Sequence, residues 1–399
     1  VLFSGPSGSG KTSLAVDTIL REGQRRAIQA LNGSPKIPPP QVDAIIGLPP
    51  TYGLEQGHSQ SFRNTDSVGS LTGITQLLAQ IYLRDGGLFS RSGEVLAYWT
   101  SASLARHLIE KYSNQRCTIS TPLDHQRKLS VPQLSSLGFS KAVVDGEVVK
   151  LEDVRLNTSS SVSLVLDRIR MNEKNRERLL DALSQAFRRR FPCAELLINE
   201  ESHRYYGSPY SDAEQQNYTI PTYEHLMHHT SIGCCQICKG QGSAQGIVCS
   251  ACSGSRLSEH ANLIKLNETS FAEIVCNTVD QALEFTSNFD SSHQSTKAEL
   301  ITRLSRLNEL GLGYLPLARG INQCSTGEKS RVLVARLLSQ PLDRVLYIID
   351  EPTLGLDNKQ AKLVLNLIRS QIDKGHSVIL IDHHKEAQSY ADQTFYFGP

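Results

Sequence analysis

The sequence has no excess of either charge: 41 lysines and arginines stand against 40 aspartates and glutamates, a formal net charge of +1. A chain that grips nucleic acid through a globally basic surface is therefore not indicated, although a local patch stays open. No apolar run approaches the roughly 20 residues needed to span a bilayer. The opening apolar residues, Val1, Leu2 and Phe3, run straight into a glycine-rich loop and do not form a signal-peptide core. No internal repeat is visible. Nine cysteines are present, four of them in two C-x-x-C pairs, which fits metal ligation in a reducing cytoplasm better than a disulfide framework. With 399 residues the chain has room for two or three domains. It begins within a strand expected at the centre of a sheet and stops at Gly398-Pro399 just after an apolar run. That pattern predicts a piece trimmed from, or one half of, a longer protein.

What is present first is Gly5-Pro6-Ser7-Gly8-Ser9-Gly10-Lys11-Thr12, a G-x-x-x-x-G-K-T loop with an apolar run before it and a helix-like segment from Ser13 to Arg21 after it. Glycines let the backbone turn sharply and point N–H groups inward, and with a helix N-terminus they make a concavity for phosphate. Lys11 adds a point charge for the β- and γ-phosphates, and Thr12 a hydroxyl for Mg²⁺. Gly5, Ser7, Gly8, Ser9, Gly10, Lys11, Thr12 and Ser13 are the expected phosphate-binding set of a nucleoside triphosphate site. The competing reading is a glycine-rich surface loop.

Helices are expected at Ile74 to Arg84, Ala102 to Tyr112, Glu173 to Phe187 and Ala298 to Leu310, the last stopped by Gly311. Strands are expected near Cys117 to Ser120 and at Val162 to Leu166. Ala142 to Val149 reads as a hairpin because Asp145-Gly146 suits a type I′ turn. Arg188-Arg189-Arg190 reads as a solvated helix end, with phosphate contact as the alternative. The tyrosine-rich stretch 199–230 reads as a surface linker, although interleaved aromatics can also stack bases. Val345 to Ile349 and Val378 to Ile381 are continuous apolar runs, as in strands buried on both faces of a parallel sheet.

The first of these runs ends in Asp350-Glu351-Pro352. The first carboxylate can hold Mg²⁺, and the second can polarise an attacking water as general base. Cys324-Ser325-Thr326-Gly327-Glu328 opens a helix whose N-terminus can face a phosphate; Ser325 with Glu328 also fits a capping box. Cys235-x-x-Cys238 and Cys249-x-x-Cys252, with glycines beside them, fit a tetrahedral Cys₄ zinc site, with redox or incidental thiols as the alternative. Cys234 is out of register with that pattern. Cys117, Cys193, Cys276 and Cys324 read as small buried side chains.

These motifs, with Gln56 and His383, stand in the order of an ABC ATPase. They resemble its P-loop, Q-loop (Gln56), signature (Ser325-x-Gly327-Glu328), Walker B pair, D-loop (Gly355-Leu356-Asp357) and switch histidine (His383). Within that superfamily the chain resembles the A subunit of bacterial excinuclease, the UvrA family. The likeness is carried by Glu22-Gly23-Gln24-Arg25-Arg26, Leu54-Glu55-Gln56, Ser67-Val68-Gly69, Leu310 to Leu315 and Ile349-Asp350-Glu351-Pro352. Asp145-Gly146-Glu147 and Val165-x-Asp167-Arg168 extend it weakly into a module like that family's UvrB-binding domain. The chain departs from the family pattern at Thr326, where a glycine is usual, at Cys324, where a leucine is usual, and in carrying no cysteine in 211–226.

The resemblance implies an α/β P-loop NTPase fold of ABC type with an inserted α+β module and a small zinc module. Its parts would be 1–100 and 298–399 for the ATP-binding core, 101–198 for the module resembling the UvrB-binding domain, and 199–297 for linker, zinc module and the start of the signature subdomain. The implied protein is a cytoplasmic ATP-dependent, DNA-binding ATPase like the damage-recognition subunit of nucleotide excision repair. ATP, Mg²⁺ and Zn²⁺ would be its cofactors, with Gln56, Glu351 and His383 catalytic. Its partners would be a second ABC cassette, either a second copy or a missing half, duplex DNA, and a UvrB-like protein at 101–198, with no membrane. A relative serving drug self-resistance or mobile-element defence, a slowly hydrolysing binding platform and a transporter cassette are the alternatives.

Overall fold

The computed structural model describes residues 1–31, 33–55, 62–123, 130–154, 162–189, 192–244, 246–339 and 342–398. They form two compact units, one of residues 1–86 with 221–399 and one of residues 87–220.

The first unit is built on a five-stranded sheet in the order Thr394–Tyr396, Leu2–Ser4, Ser377–Ile381, Leu346–Asp350, Thr51–Leu54. All four pairings are parallel. Parallel strands need crossover helices on both faces, which is why Leu346–Asp350 is buried throughout and reads as an unbroken apolar run. One crossover helix, Asn358–Ile372, turns Ala361, Val364, Leu365 and Ile368 into the core. The segment after the P-loop is a π-helix, Ser13–Leu20, continued by the α-helix Arg21–Ala30. It lies unusually close to the strand Thr51–Leu54, whose pairing the sequence pattern did not reveal. A Cβ on Gly23 would overlap the Thr51 side chain, and one on Gly53 would overlap that of Leu20. A second group of helices, including Ile74–Asp85, Gln294–Glu309 and Thr326–Leu338, shares the large core through Leu78, Leu304, Leu307 and Val334.

The second unit is a six-stranded antiparallel sheet. Its order is Glu147–Lys150, Lys141–Val144, Val162–Arg170, Arg116–Pro122, Cys193–Ile198, Glu201–Tyr206. Helices Ser101–Lys111 and Arg176–Phe187 pack on it through Leu104, Leu108, Leu179 and Leu183. The expected hairpin is present, with Asp145 at φ 50° and Gly146 at φ 89°, the pair of left-handed residues that a type I′ turn requires. At the end of the second helix the Arg189 guanidinium lies 5.0 Å over the Phe139 ring; Arg190 falls outside the described residues.

The linker expectation for 199–230 needs correction at its start. Glu201–Tyr206 is an edge strand paired with Cys193–Ile198, and Tyr210–Ser211 pairs with Gln216–Asn217. An edge strand keeps one side and one face in water, so its polar composition resembles a loop's, while tyrosine favours the strand. Tyr206 stacks on Tyr210 at 5.1 Å, and its hydroxyl donates to Asp212.

Glu22 is 3% exposed and accepts from Arg25 Nε (2.6 Å), Arg25 Nη2 (2.8 Å) and Arg26 Nε (2.6 Å). Arg26 Nη2 also donates to the Ile45 carbonyl at 2.8 Å. Hydrogen bonds from Arg25 and then Arg26 hold the Glu22 carboxyl at about 2, against burial that pushes it up. A carboxyl pKa lowered by folding contributes stability at neutral pH that is lost as pH falls from the unfolded value towards the folded one. Thermal melting of the wild type should therefore drop as pH falls from about 4.5 to about 2. Glu22→Gln should melt a few degrees lower than wild type at pH 7 and converge with it near pH 2. Parallel melting curves for the two proteins across that range would count against this ion-pair network.

Candidate nucleotide site and four-cysteine centre

The Leu2–Ser4 strand runs directly into the glycine loop. Gly5, Gly8 and Gly10 have φ of 148°, 83° and 87°, which other residues reach only with strain, and a Cβ on Gly5 would overlap the Phe397 carbonyl. Lys11 is 5% exposed. Its ammonium folds back on the loop, donating to the carbonyls of Gly5 (2.9 Å) and Pro6 (2.7 Å) and to Ser9 Oγ (3.3 Å). Thr12 has helical dihedrals and makes no capping bond through its side chain; Ser7, Thr12 and Ser13 are exposed. The cradle thus presents a buried cation, exposed hydroxyls and the free N–H groups of a helix start, a donor set suited to a polyphosphate.

The neighbouring strands end at the same level. Phe3 and Asp350 both pair with Ile381, so the exits of three adjacent strands lead to the glycine loop, to Glu351 and to His383. Asp350 is 6% exposed. Glu351 sits at φ 45°, its N–H donating to the Ile381 carbonyl at 2.8 Å. That hook brings its Oε1 to 3.5 Å from His383 Nε2. Sequence reasoning missed the residue that organises this corner, Asp382, which is 4% exposed. Its carboxylate accepts from Thr353 Oγ1 at 2.7 Å and from the His384 N–H at 2.7 Å. The signal was available: an acid directly after a buried strand and before His383. The strand Thr51–Leu54 ends on the same side, with Leu54 opposite Ile349. Gln56, two residues on, lies outside the described residues.

Ser325 caps the helix Thr326–Leu338 in the predicted box: its hydroxyl accepts from the Glu328 N–H (3.3 Å), and Glu328 Oε2 accepts from the Ser325 N–H (2.7 Å). Tyr314, within the Leu310 to Leu315 stretch, donates its hydroxyl to Glu328 Oε1 at 2.5 Å. A Cβ on Gly327 would come within 2.8 Å of Leu356 Cδ2, and Ser330 Oγ donates to the Pro352 carbonyl at 2.9 Å. The helix start therefore rests on the loop that follows Glu351. Ser325 and Thr326 are exposed. Among the described residues no hydrogen bond or ion pair joins Ser325, Thr326 or Gly327 to the Gly5–Thr12 loop.

Cys235, Cys238, Cys249 and Cys252 place their four Sγ atoms within 4.8 Å of one another. Cys235 and Cys249 are 3.9 Å apart, and Cys238 and Cys252 3.7 Å. A tetrahedron with Zn–S bonds of about 2.3 Å has edges of about 3.8 Å, so the set fits zinc. The Gly242 N–H donates to Cys238 Sγ at 3.2 Å. Backbone N–H groups of Cys252 and Ala251 draw the Cys249 thiol down to about 7, while burial pushes Cys252 up to about 12. A full set of thiolates needs a cation to persist in such a place. Cys234 stays outside the cluster, as its register implied. Cys117, Cys193 and Cys324 are buried, and Cys276 is half-buried.

Comparison with known proteins bears on what this fold carries. Residues 100–190 match the UvrA interaction domain family. The parallel sheet that carries the glycine loop makes an α/β P-loop fold, and the chain is UvrA-like along its length. It is similar to UvrABC system protein A of Aquifex aeolicus, 24% identical over 521 aligned positions, covering all of this chain and 56% of that protein. UvrABC system protein A of Helicobacter pylori (strain J99) is 23% identical with the same coverage. The chain thus spans little more than half the length of these relatives. The crystal structure of UvrA2 from Deinococcus radiodurans superposes with a TM-score of 0.51 at 20% identity, over 99% of this chain and 51% of that one. Among the described residues no helix is long and apolar enough to cross a membrane.

Elemental analysis of protein purified without chelator should find one zinc per chain, and Cys238→Ser should hold clearly less. Protein that carries no stoichiometric metal would refute the assignment.

Proposed function

We propose that this chain is an ATP-hydrolysing cassette that engages duplex DNA, in the manner of the damage-recognition subunit of nucleotide excision repair. The observation that carries the reading is the Glu351–His383 pair, set at 3.5 Å beside the exit of the strand that bears the glycine loop. Similarity to UvrABC system protein A over the whole chain supports the same reading. Lys11 takes the β- and γ-phosphates, and the N–H groups of the Gly5–Ser13 loop cradle them. Bound Mg²⁺, held through Thr12 and Asp350, would neutralise phosphate charge. Glu351 accepts the proton of the attacking water, His383 contacts the γ-phosphate, and Gln56 positions water and metal.

Ser325 and Gly327 act on the nucleotide of a second cassette, supplied by another copy or by further chain. ATP binding closes the two face to face, and hydrolysis reopens them. The four cysteines hold zinc, and 101–198 receives a UvrB-like protein; the setting is cytoplasmic. A role in drug self-resistance or mobile-element defence uses the same chemistry.

Steady-state hydrolysis, with and without damaged duplex, is the test. Glu351→Gln should keep ATP binding and lower turnover at least about 100-fold, the scale of a lost general base. Duplex binding should weaken as salt rises. Near-normal turnover by the variant would remove Glu351 from its role, and absence of duplex binding at low salt would remove the repair reading.

Thr326 favours a second reading, an ATP-bound platform that hydrolyses slowly. Its side chain stands exposed at the first turn of the signature helix, where no Cβ would let backbone come closest to phosphate. Thr326→Gly should then raise turnover or strengthen ATP-dependent pairing in sedimentation of the Glu351→Gln background; Ser325→Arg should abolish both. No gain with glycine would show that the side chain does not limit closure.

A further inference from the structure

Arg256, four residues after the last cysteine of the cluster, is the bulkiest fully buried side chain among the described residues, only 2% exposed. Its guanidinium is shared among three loops. Nε donates to the Ala318 carbonyl at 2.7 Å, and Nη1 donates to the carbonyls of Thr65 (2.9 Å) and Gly240 (3.2 Å). Gly320 approaches so closely that a Cβ there would lie 2.6 Å from Nη2. Gly240 belongs to the first cysteine knuckle, Thr65 to the segment that follows Gln56, and Ala318 and Gly320 to the segment that leads to Ser325. The last two segments are also joined through their backbones. The N–H groups of Val68, Gly69 and Ile321 donate to the carbonyls of Arg319, Leu317 and Asp66 at 2.9, 2.8 and 3.0 Å. His228, 4% exposed, shares the Thr65 carbonyl at 2.7 Å.

Carbonyls satisfy the donors of a guanidinium but do not cancel its charge. Among the described residues Arg256 has no carboxylate within ion-pair distance. Burial pulls its pKa down, and the charges that oppose this are first those of Cys238 and Cys252 and then that of Asp66. A buried charge without a counter-charge is costly. Four thiolates around a divalent metal carry two net negative charges, and the guanidinium is bonded to the Gly240 carbonyl, two residues after Cys238.

We propose that the metal-loaded cysteine cluster is the counter-charge that keeps Arg256 buried, and that Arg256 is a positioning residue which fixes the segment leading to Ser325 and the segment 65–69. Metal occupancy then sets the shape of both segments, beyond holding its own knuckles together. The clamp stands on the hydrogen bonds of Arg256; its consequence for ATP rests on the ATPase reading.

Amide hydrogen exchange on the whole chain, compared for wild type with zinc, wild type after chelation, and Arg256→Met and Arg256→Lys at saturating zinc, tests it. Val68, Gly69 and Ile321 should exchange at least about tenfold faster after chelation and in Arg256→Met, while Ile348 and Ile349 keep their protection. Because coupling is reciprocal, Arg256→Met should also bind zinc at least about tenfold more weakly in chelator competition, and Arg256→Lys, which keeps the charge, should lose less. In the ATPase reading, Arg256→Met should require a higher protein concentration to pair with ATP at unchanged ATP affinity. Unchanged exchange at Val68, Gly69 and Ile321 after chelation of the wild type overturns the proposal, whatever the variants do. So does an Arg256→Met protein with wild-type zinc affinity and wild-type exchange. A wild type that binds no ATP retires the ATPase reading and leaves the exchange and zinc results to decide the clamp.

Discussion

Because Phe3 and Asp350 are both in register with Ile381, three strands hand their chains to loops at one level of the sheet. A slip of one residue in either pairing would turn the flanking side chains to the opposite face and separate Glu351 from His383. The register is held from inside, since Leu2, Ile348, Ile349, Leu380 and Ile381 are buried, and strands covered on both faces have no solvated alternative. At the exits, the backbone bends that remain are fixed by polar contacts: Glu351 N–H to Ile381, Thr353 and His384 to Asp382. The polar groups at this corner are thus positioned by the apolar interior beneath them.

The helix opened by Ser325 uses the same device in reverse. Its capping box is local and leaves the Ser325 and Thr326 side chains facing outward, while Gly327 and Ser330 bind it to the loop after Glu351. An element that, among the described residues, makes no bonded contact to its own glycine loop is in this way seated on that site's other margin. A displacement of the Pro352–Leu356 segment therefore has a direct mechanical route into the helix Thr326–Leu338.

Much of this was legible in the sequence, for identifiable reasons. The glycine loop, the two buried runs, the hairpin at Asp145-Gly146 and the four cysteines each depend on residues close together in the chain, and each was found. The strand Thr51–Leu54 was not seen, because four residues carry no periodicity and only the close fit against Leu20 and Gly23 explains its composition. Glu201–Tyr206 read as linker because an edge strand is half solvated. Asp382 and Arg256 escaped for a different reason: their importance comes from partners far away in sequence, Phe3 and Thr353 for one, Thr65 and Ala318 for the other.

The two glycines between the P-loop helix and its neighbouring strand carry an evolutionary implication. Gly23 faces Thr51, and Gly53 faces Leu20, so each element supplies one vacancy and one filling group. Neither position can accept a larger side chain while its opposite number keeps its size. Substitution here must then proceed in matched exchanges, with bulk removed on one element as it is added on the other. In descendants of such a sequence, the sizes at 20 with 53, and at 23 with 51, should drift as couples, even where their flanks diverge freely.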